Sequence, residues 1–145
     1  MPEDIQSLLI AEVLGKLRAI PEFGESVEEE FIQRVLDADD STLPGTQIVV
    51  QSGDTEELDR VGPGAVKERL TLHIALLTTV RDFGPKLRAG RLAIKCALAG
   101  THAGLSVKGL VEAKFGPDEL RPSRDGRRWA IRVMPLQLTY SQKLK

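Results

Sequence analysis

The sequence predicts an α+β fold: a single domain over residues 1–145, in which a small antiparallel sheet of about four strands is flanked by helices. Three observations lead there. Apolar residues recur every three or four positions near 4–20 and 85–99, which is helix spacing. They alternate with polar residues at 69–76, 105–115 and 129–140, and 46–51 is β-branched, which is strand patterning. Finally, 145 residues that are 41% hydrophobic and 28% charged suit one core of ordinary globular composition.

The stripe Ile5, Leu9, Val13, Leu17 and Ile20, widened by Leu8, predicts a helix from Asp4 to about Ile20 that Pro21 stops. Ile10 and Leu14 lie off the stripe and are expected on a second buried flank. Ser26-Val27-Glu28-Glu29 matches a capping box and predicts a short helix ending near Asp37, with Val27, Phe31, Val35, Ile32 and Leu36 on its apolar face. The acidic, turn-rich run 37–45 predicts a surface loop. Thr46 to Gln51 predicts a strand, and Ser52 to Gly64, with four acids, a long solvated loop whose Gly62-Pro63-Gly64 is a turn. In the next strand Leu70, Leu72, Ile74 and Leu76 face one side while Arg69, Thr71, His73 and Ala75 face the other.

From about Pro85 to Ala99 the stripe Leu87, Arg91, Ile94 and Leu98, flanked by Leu92, Ala93, Cys96 and Ala97, predicts a helix that Gly100 ends. Leu105 to Phe115 alternates as a strand, and a loop opens at Gly116-Pro117. Trp129, Ile131 and Val133 alternate in one phase and Leu136, Leu138 and Tyr140 in the other. That predicts a bulge at Met134-Pro135, with Pro135 at a sheet edge or at the bulge, because proline has no amide to donate. Asp125-Gly126 predicts a tight turn carrying Arg121, Arg124, Arg127 and Arg128 at its tip.

Candidate chemistry is sparse. His73 and His102 have no nearby cysteine and no metal-site spacing, so the expectation is no metal, no catalytic residue and no cofactor. The acids Asp54, Glu56, Glu57 and Asp59 match no calcium-loop spacing and read as a solvated or interface cluster. Cys96, the only cysteine, allows no intrachain disulfide and reads as a packed thiol. Trp129 leads an apolar strand and is expected in the core, which argues against base stacking beside the arginines. The acidic start Met1-Pro2-Glu3-Asp4 lacks the basic and apolar regions of a secretory signal, and no apolar run approaches the roughly 18 residues of a membrane span, so no membrane partner is expected.

Charge is the strongest signal of function. Residues 1–60 hold 15 acids against 4 bases, and residues 61–145 hold 6 against 16, so a net charge of −1 hides halves of −11 and +10. Such segregation invites an anionic partner or self-association of an acidic with a basic surface; folding that interleaves the halves would cancel it.

The order of elements carries a family resemblance. A helix containing Ile5-Gln6-Ser7-Leu8-Leu9-Ile10-Ala11-Glu12-Val13-Leu14 is followed by a strand, a long loop and the strand Glu68 to Leu76. A helix ending at Leu98-Ala99-Gly100 then precedes a final strand from Trp129 to Tyr140. Over residues 4–20 and 45–141 this resembles the tail-terminator and minor tail proteins of long-tailed, Mu-like bacteriophages. The resemblance implies a virion protein of the tail neck, assembled in the host cytoplasm. It would be a ring, typically a hexamer, that caps the head-proximal end of the tail tube, with the tube protein and the head–tail connector as partners and incidental contact with DNA in the lumen. On that reading Asp54, Glu56, Glu57 and Asp59 meet bases such as Lys86 and Arg88 of a neighbouring subunit, and Arg121, Arg124, Arg127 and Arg128 point to the lumen or a partner. A non-catalytic adaptor or assembly module is the alternative.

Overall fold

The computed structural model describes residues 2–23, 26–37, 45–122 and 128–145. Among them three helices and six strands follow in the order α1 (Ile5–Arg18), β1 (Val27–Glu29), α2 (Ile32–Asp37), β2 (Thr46–Arg60), β3 (Ala65–Thr78), α3 (Phe83–Ala97), β4 (Leu110–Phe115), β5 (Glu119–Arg121) and β6 (Ala130–Lys143). The strands form one sheet in the order β1-β2-β3-β6-β4, with β5 also on β6. β1 pairs in parallel with β2 and every other pairing is antiparallel, so the sheet is mixed and larger than the four antiparallel strands expected.

Because successive strand residues face opposite sides, the sheet has a front and a back. On the front, Leu70, Leu72, Ile74 and Leu76 of β3 and Met134, Leu136, Leu138 and Tyr140 of β6 pack under α1 and α3 in the main core. α1 contributes the predicted Ile5, Leu9, Val13 and Leu17, together with Leu14, whereas Leu8 is exposed. Its start is capped by Asp4, whose Oδ1 accepts from the Gln6 amide at 3.1 Å. α3 approaches closely enough that a Cβ on buried Gly90 would collide with the Leu76 side chain, so glycine sets the helix–sheet distance here. Cys96 lies on the exposed side of α3 and Leu92 is 59% exposed; the buried stripe is narrower than predicted.

On the back, a second cluster of Val35, Val49, Ala75, Leu77, Trp129, Ile131 and Val133 lies under α2. It explains the phase change in β6. Residues 129–133 bury their odd positions against the back cluster, residues 134–140 their even positions against the main core, and pairing with β3 runs unbroken from Ala65↔Lys143 to Thr78↔Ala130. No bulge is needed for that pairing. Pro135 is tolerated in a central strand because it falls between the β4 and β5 pairings, where its carbonyl accepts from the Gly116 amide at 2.8 Å.

Three further expectations are corrected. Val27–Glu29 is a strand, not the first turn of a helix: Ser26 O accepts from Ile48 N and Val50 O from Glu30 N, and these pairings outweigh a local capping box. A six-residue helix has little propensity of its own; α2 is instead held by Glu30 Oε1 and Gln51 Oε1, which accept from the Phe31 and Ile32 amides. Phe31 itself is 66% exposed. Residues 52–60 continue β2 beside β3, with bulges at Ser52/Thr55 and Glu57/Asp59, so the acids belong to a sheet edge. Gly53 is required at the first bulge, where a Cβ would stand 2.8 Å from the Thr71 carbonyl oxygen. Residues 105–109 are not strand: His102 and Ala103 take left-handed φ values of 57° and 55°, Gly109 one of 102°, and the chain turns while burying Leu105. The loop predicted at 37–45 lies almost wholly outside the described residues.

Candidate assembly surfaces

The two faces are unequally covered. β2, β3 and β6 are apolar on both sides around 46–50, 74–78 and 129–134, but farther out their back carries Lys67, Arg69, Thr71, Gln137 and Ser141, all half-buried, beside exposed Glu56 and Asp59. On this polar back Glu56 stands opposite Arg69, with Oε2 3.7 Å from Arg69 Nη1. Glu57 pairs with Arg60 at 2.7 Å, and Asp59 Oδ1 accepts from the Arg60 amide. Asp54 is exposed beside the first bulge. Hence all four predicted acids are brought together, along one exposed strand.

Lys86 and Arg88 are carried on α3, which covers the front of the sheet. No ion pair joins them to the β2 acids among the described residues. Arg121 is exposed on β5 and pairs with Glu119 at 3.1 Å. Arg128 lies with its guanidinium 5.2 Å from the centre of the Trp129 ring, while Trp129 itself is 2% exposed, in the core as expected. Arg124 and Arg127 lie outside the described residues. Two other arginines serve the inside of the molecule, since Arg91 of α3 and Arg132 of β6 converge on Asp118 Oδ2 at 2.7 and 3.6 Å and tie α3 to the sheet. The sequence offered charge here but no sign that Asp118 would collect it.

At the outer front the start of α1 is fastened by a polar network. Gln6 Nε2 donates to Thr55 Oγ1 at 2.8 Å and to Tyr140 Oη at 2.7 Å; Tyr140 Oη donates to Glu68 Oε1 at 3.0 Å. Burial, reinforced by the Glu68 carboxylate against the opposing Gln6 bond, pushes the Tyr140 hydroxyl up to about 12. The Glu30 carboxyl is held below the usual carboxylate range first by its bond from the Phe31 amide and then by Arg34.

His73 lies on β3 and His102 in the turn after α3, and the described residues hold no cluster of three or more metal-ligating side chains. No described helix is long and apolar enough to cross a membrane. The feature that side-chain reading missed is backbone: β1 covers β2 only from Ile48 to Val50, so beyond it the outer edge of β2 has no neighbouring strand among the described residues. β4, with Val111 46% exposed, is the edge on the opposite side.

No protein-family model matches the chain, and no curated protein matches it. Among solved structures, the chain resembles one in the virion of a native gene transfer agent particle, with a TM-score of 0.54 at 20% identity over 96% of this chain and 91% of that one. At that identity the likeness is one of fold.

Proposed function

We propose that this chain is a structural subunit of a phage-like virion, a tail terminator that closes the head-proximal end of the tail tube as a ring and joins it to the head connector. The observation that carries the reading is the end-to-end fold likeness to a chain of a gene transfer agent virion, which spans nearly all of both chains. It accords with the family resemblance in the order of elements. The surfaces support it too. A closed ring joins unlike patches of successive subunits, and opposite charges on those patches favour that register over self-pairing. Asp54, Glu56, Glu57 and Asp59 form one such patch on the β2 edge, and Lys86 and Arg88 lie on another element. Arg121 and Arg128 face a tube or connector partner, or DNA in the lumen; on this reading the protein works by assembly and needs no cofactor.

The test is the solution mass by light scattering at low and high salt, with negative-stain images of the same sample. A single ring-shaped species of about six subunits is expected, weakening as salt screens the charges. A monomer or dimer at both salts would overturn the ring and favour an assembly adaptor.

A further inference from the structure

We infer that the ring is closed by backbone pairing, the outer edge of β2 (Thr55 to Asp59) in one subunit joining the outer edge of β4 (Leu110–Phe115) in the next. This rests on the ring reading and sets the β2 acids against β4 of the neighbour, not against Lys86 and Arg88 of its α3. Which backbone groups point outward decides what each edge can pair with. On β6, Pro135 O accepts from Gly116 N and Ser141 N donates to Gly109 O, so odd positions turn toward β4. Glu112↔Thr139 and Lys114↔Gln137 therefore use the Glu112 and Lys114 groups, leaving those of Ala113 and Phe115 outward. On β2, Ile48 N and Val50 O are taken by β1 and its flanks. The register carries the same orientation past the bulges to Thr55, Glu57 and Arg60, and of these the Arg60 amide is already capped by Asp59.

Direction agrees. β2 is antiparallel to β3, β3 to β6 and β6 to β4, so β4 runs opposite to β2. A copy set beside the first in the same orientation presents its β2 antiparallel to β4, which continues the ladder. At one level the two open edges share rows of the sheet, with Thr55, Leu70, Leu138 and Ala113 side by side, but at the other β1 of one copy would meet β5 of the next, so the strands slide along each other at the joint.

Charge selects the pair. An open edge invites any other edge, and charged side chains are the usual guard. β2 against β2 of a second copy would set Asp54, Glu56, Glu57 and Asp59 against the same four acids, and like charges across a ladder repel. β4 carries one acid and one base, Glu112 and Lys114, on the same back side as Glu56 and Asp59, with small Ala113 and exposed Val111 beside them, so its edge is balanced in charge and lacks the four-acid repulsion of a β2–β2 pair. The partner that fits the acidic edge is thus the other edge of a second copy of this chain.

Cysteine pairs test this in a Cys96→Ser background: Ala113→Cys combined in turn with Thr55→Cys and Glu57→Cys. Within one chain the two edges are three strand spacings apart, about 14 Å, beyond disulfide reach. Every cross-link must therefore join two chains. A ladder of covalent species ending at the ring size is expected under mild oxidation. Glu57→Pro and Ala113→Pro, which remove outward amides and spare those used inside the chain, should each give folded monomers in place of the ring. If rings form but neither cysteine pair cross-links and both proline variants still assemble, edge pairing is wrong while the ring stands. A chain that never forms rings overturns both.

Discussion

The two ends of the sheet are built from the same three strands, β2, β3 and β6, yet they are covered differently. Around residues 46–50, 74–78 and 129–134 the front lies under α3 and the back under α2, and both faces are apolar. Toward the β2–β3 turn the front is still covered, whereas the back is a polar surface and, among the described residues, no strand lies beside the β2 edge. The first end buries both of its faces; the second buries only its front, around Leu70, Leu138 and Tyr140, and exposes the charges and backbone groups that the proposed ring joint would use.

The sharpest way to break that division lies on one face of one strand. Leu77 and Lys67 both point to the back of β3, one in the covered half and fully buried, the other half-buried in the polar half. Leu77→Ala should cost about 2–5 kcal/mol, the lost transfer energy plus the cavity left between Trp129 and Ile131. Lys67→Ala should stay within about 0.5 kcal/mol. Denaturant midpoints of the two variants measure the contrast, and equal losses would mean that the polar half is as much a part of the core as the other.

This division also explains how much the sequence could reveal. α1, β3 and α3 were legible because each buries one side, and periodicity records one-sided burial. Residues 52–60 were not, since a strand with a bare edge and a polar back has the composition of a loop. β6 misled in the opposite way: two half-strands buried on opposite faces look like a bulge when the second covered face is unknown. β1 depended on Ser26 and Glu30 finding partners on β2, some twenty residues ahead, which a four-residue capping pattern cannot register. The acids at 54–59 were visible as charge; that they line an unpaired ladder was not, because backbone exposure leaves no trace in side-chain pattern.

A smaller effect is expected where the covered front reaches the outer end. Tyr140→Phe removes the hydroxyl that links Gln6 to Glu68 and should cost about 1 kcal/mol. It should also change the alkaline limb. The folded chain holds the Tyr140 proton to about 12 whereas the free side chain loses it near 10, so the folded state binds the proton more tightly. That contribution is intact below pH 10 and is lost as pH rises through this window. Chemical denaturation between about pH 9 and 12 should show a steeper fall for the wild type than for Tyr140→Phe; parallel curves would show that the network does not hold α1 to the sheet.

The smallest effect on stability should accompany the largest effect on assembly. Changing Asp54, Glu56 and Glu57 together to Lys removes the Glu56–Arg69 and Glu57–Arg60 pairs, both exposed and each worth at most about 1 kcal/mol in the isolated chain. The three side chains bury no apolar surface of consequence, so the thermal midpoint of the monomer should move little. In a ring the same reversal sets lysines against the bases of the neighbour, and in low salt, where screening is weakest, ring formation should be lost. Intact rings would remove the acidic edge from the subunit joint. A large fall in the monomer's midpoint would instead show that these acids hold the outer β2 strand in place, and that the bare edge belongs to folding as well as to assembly.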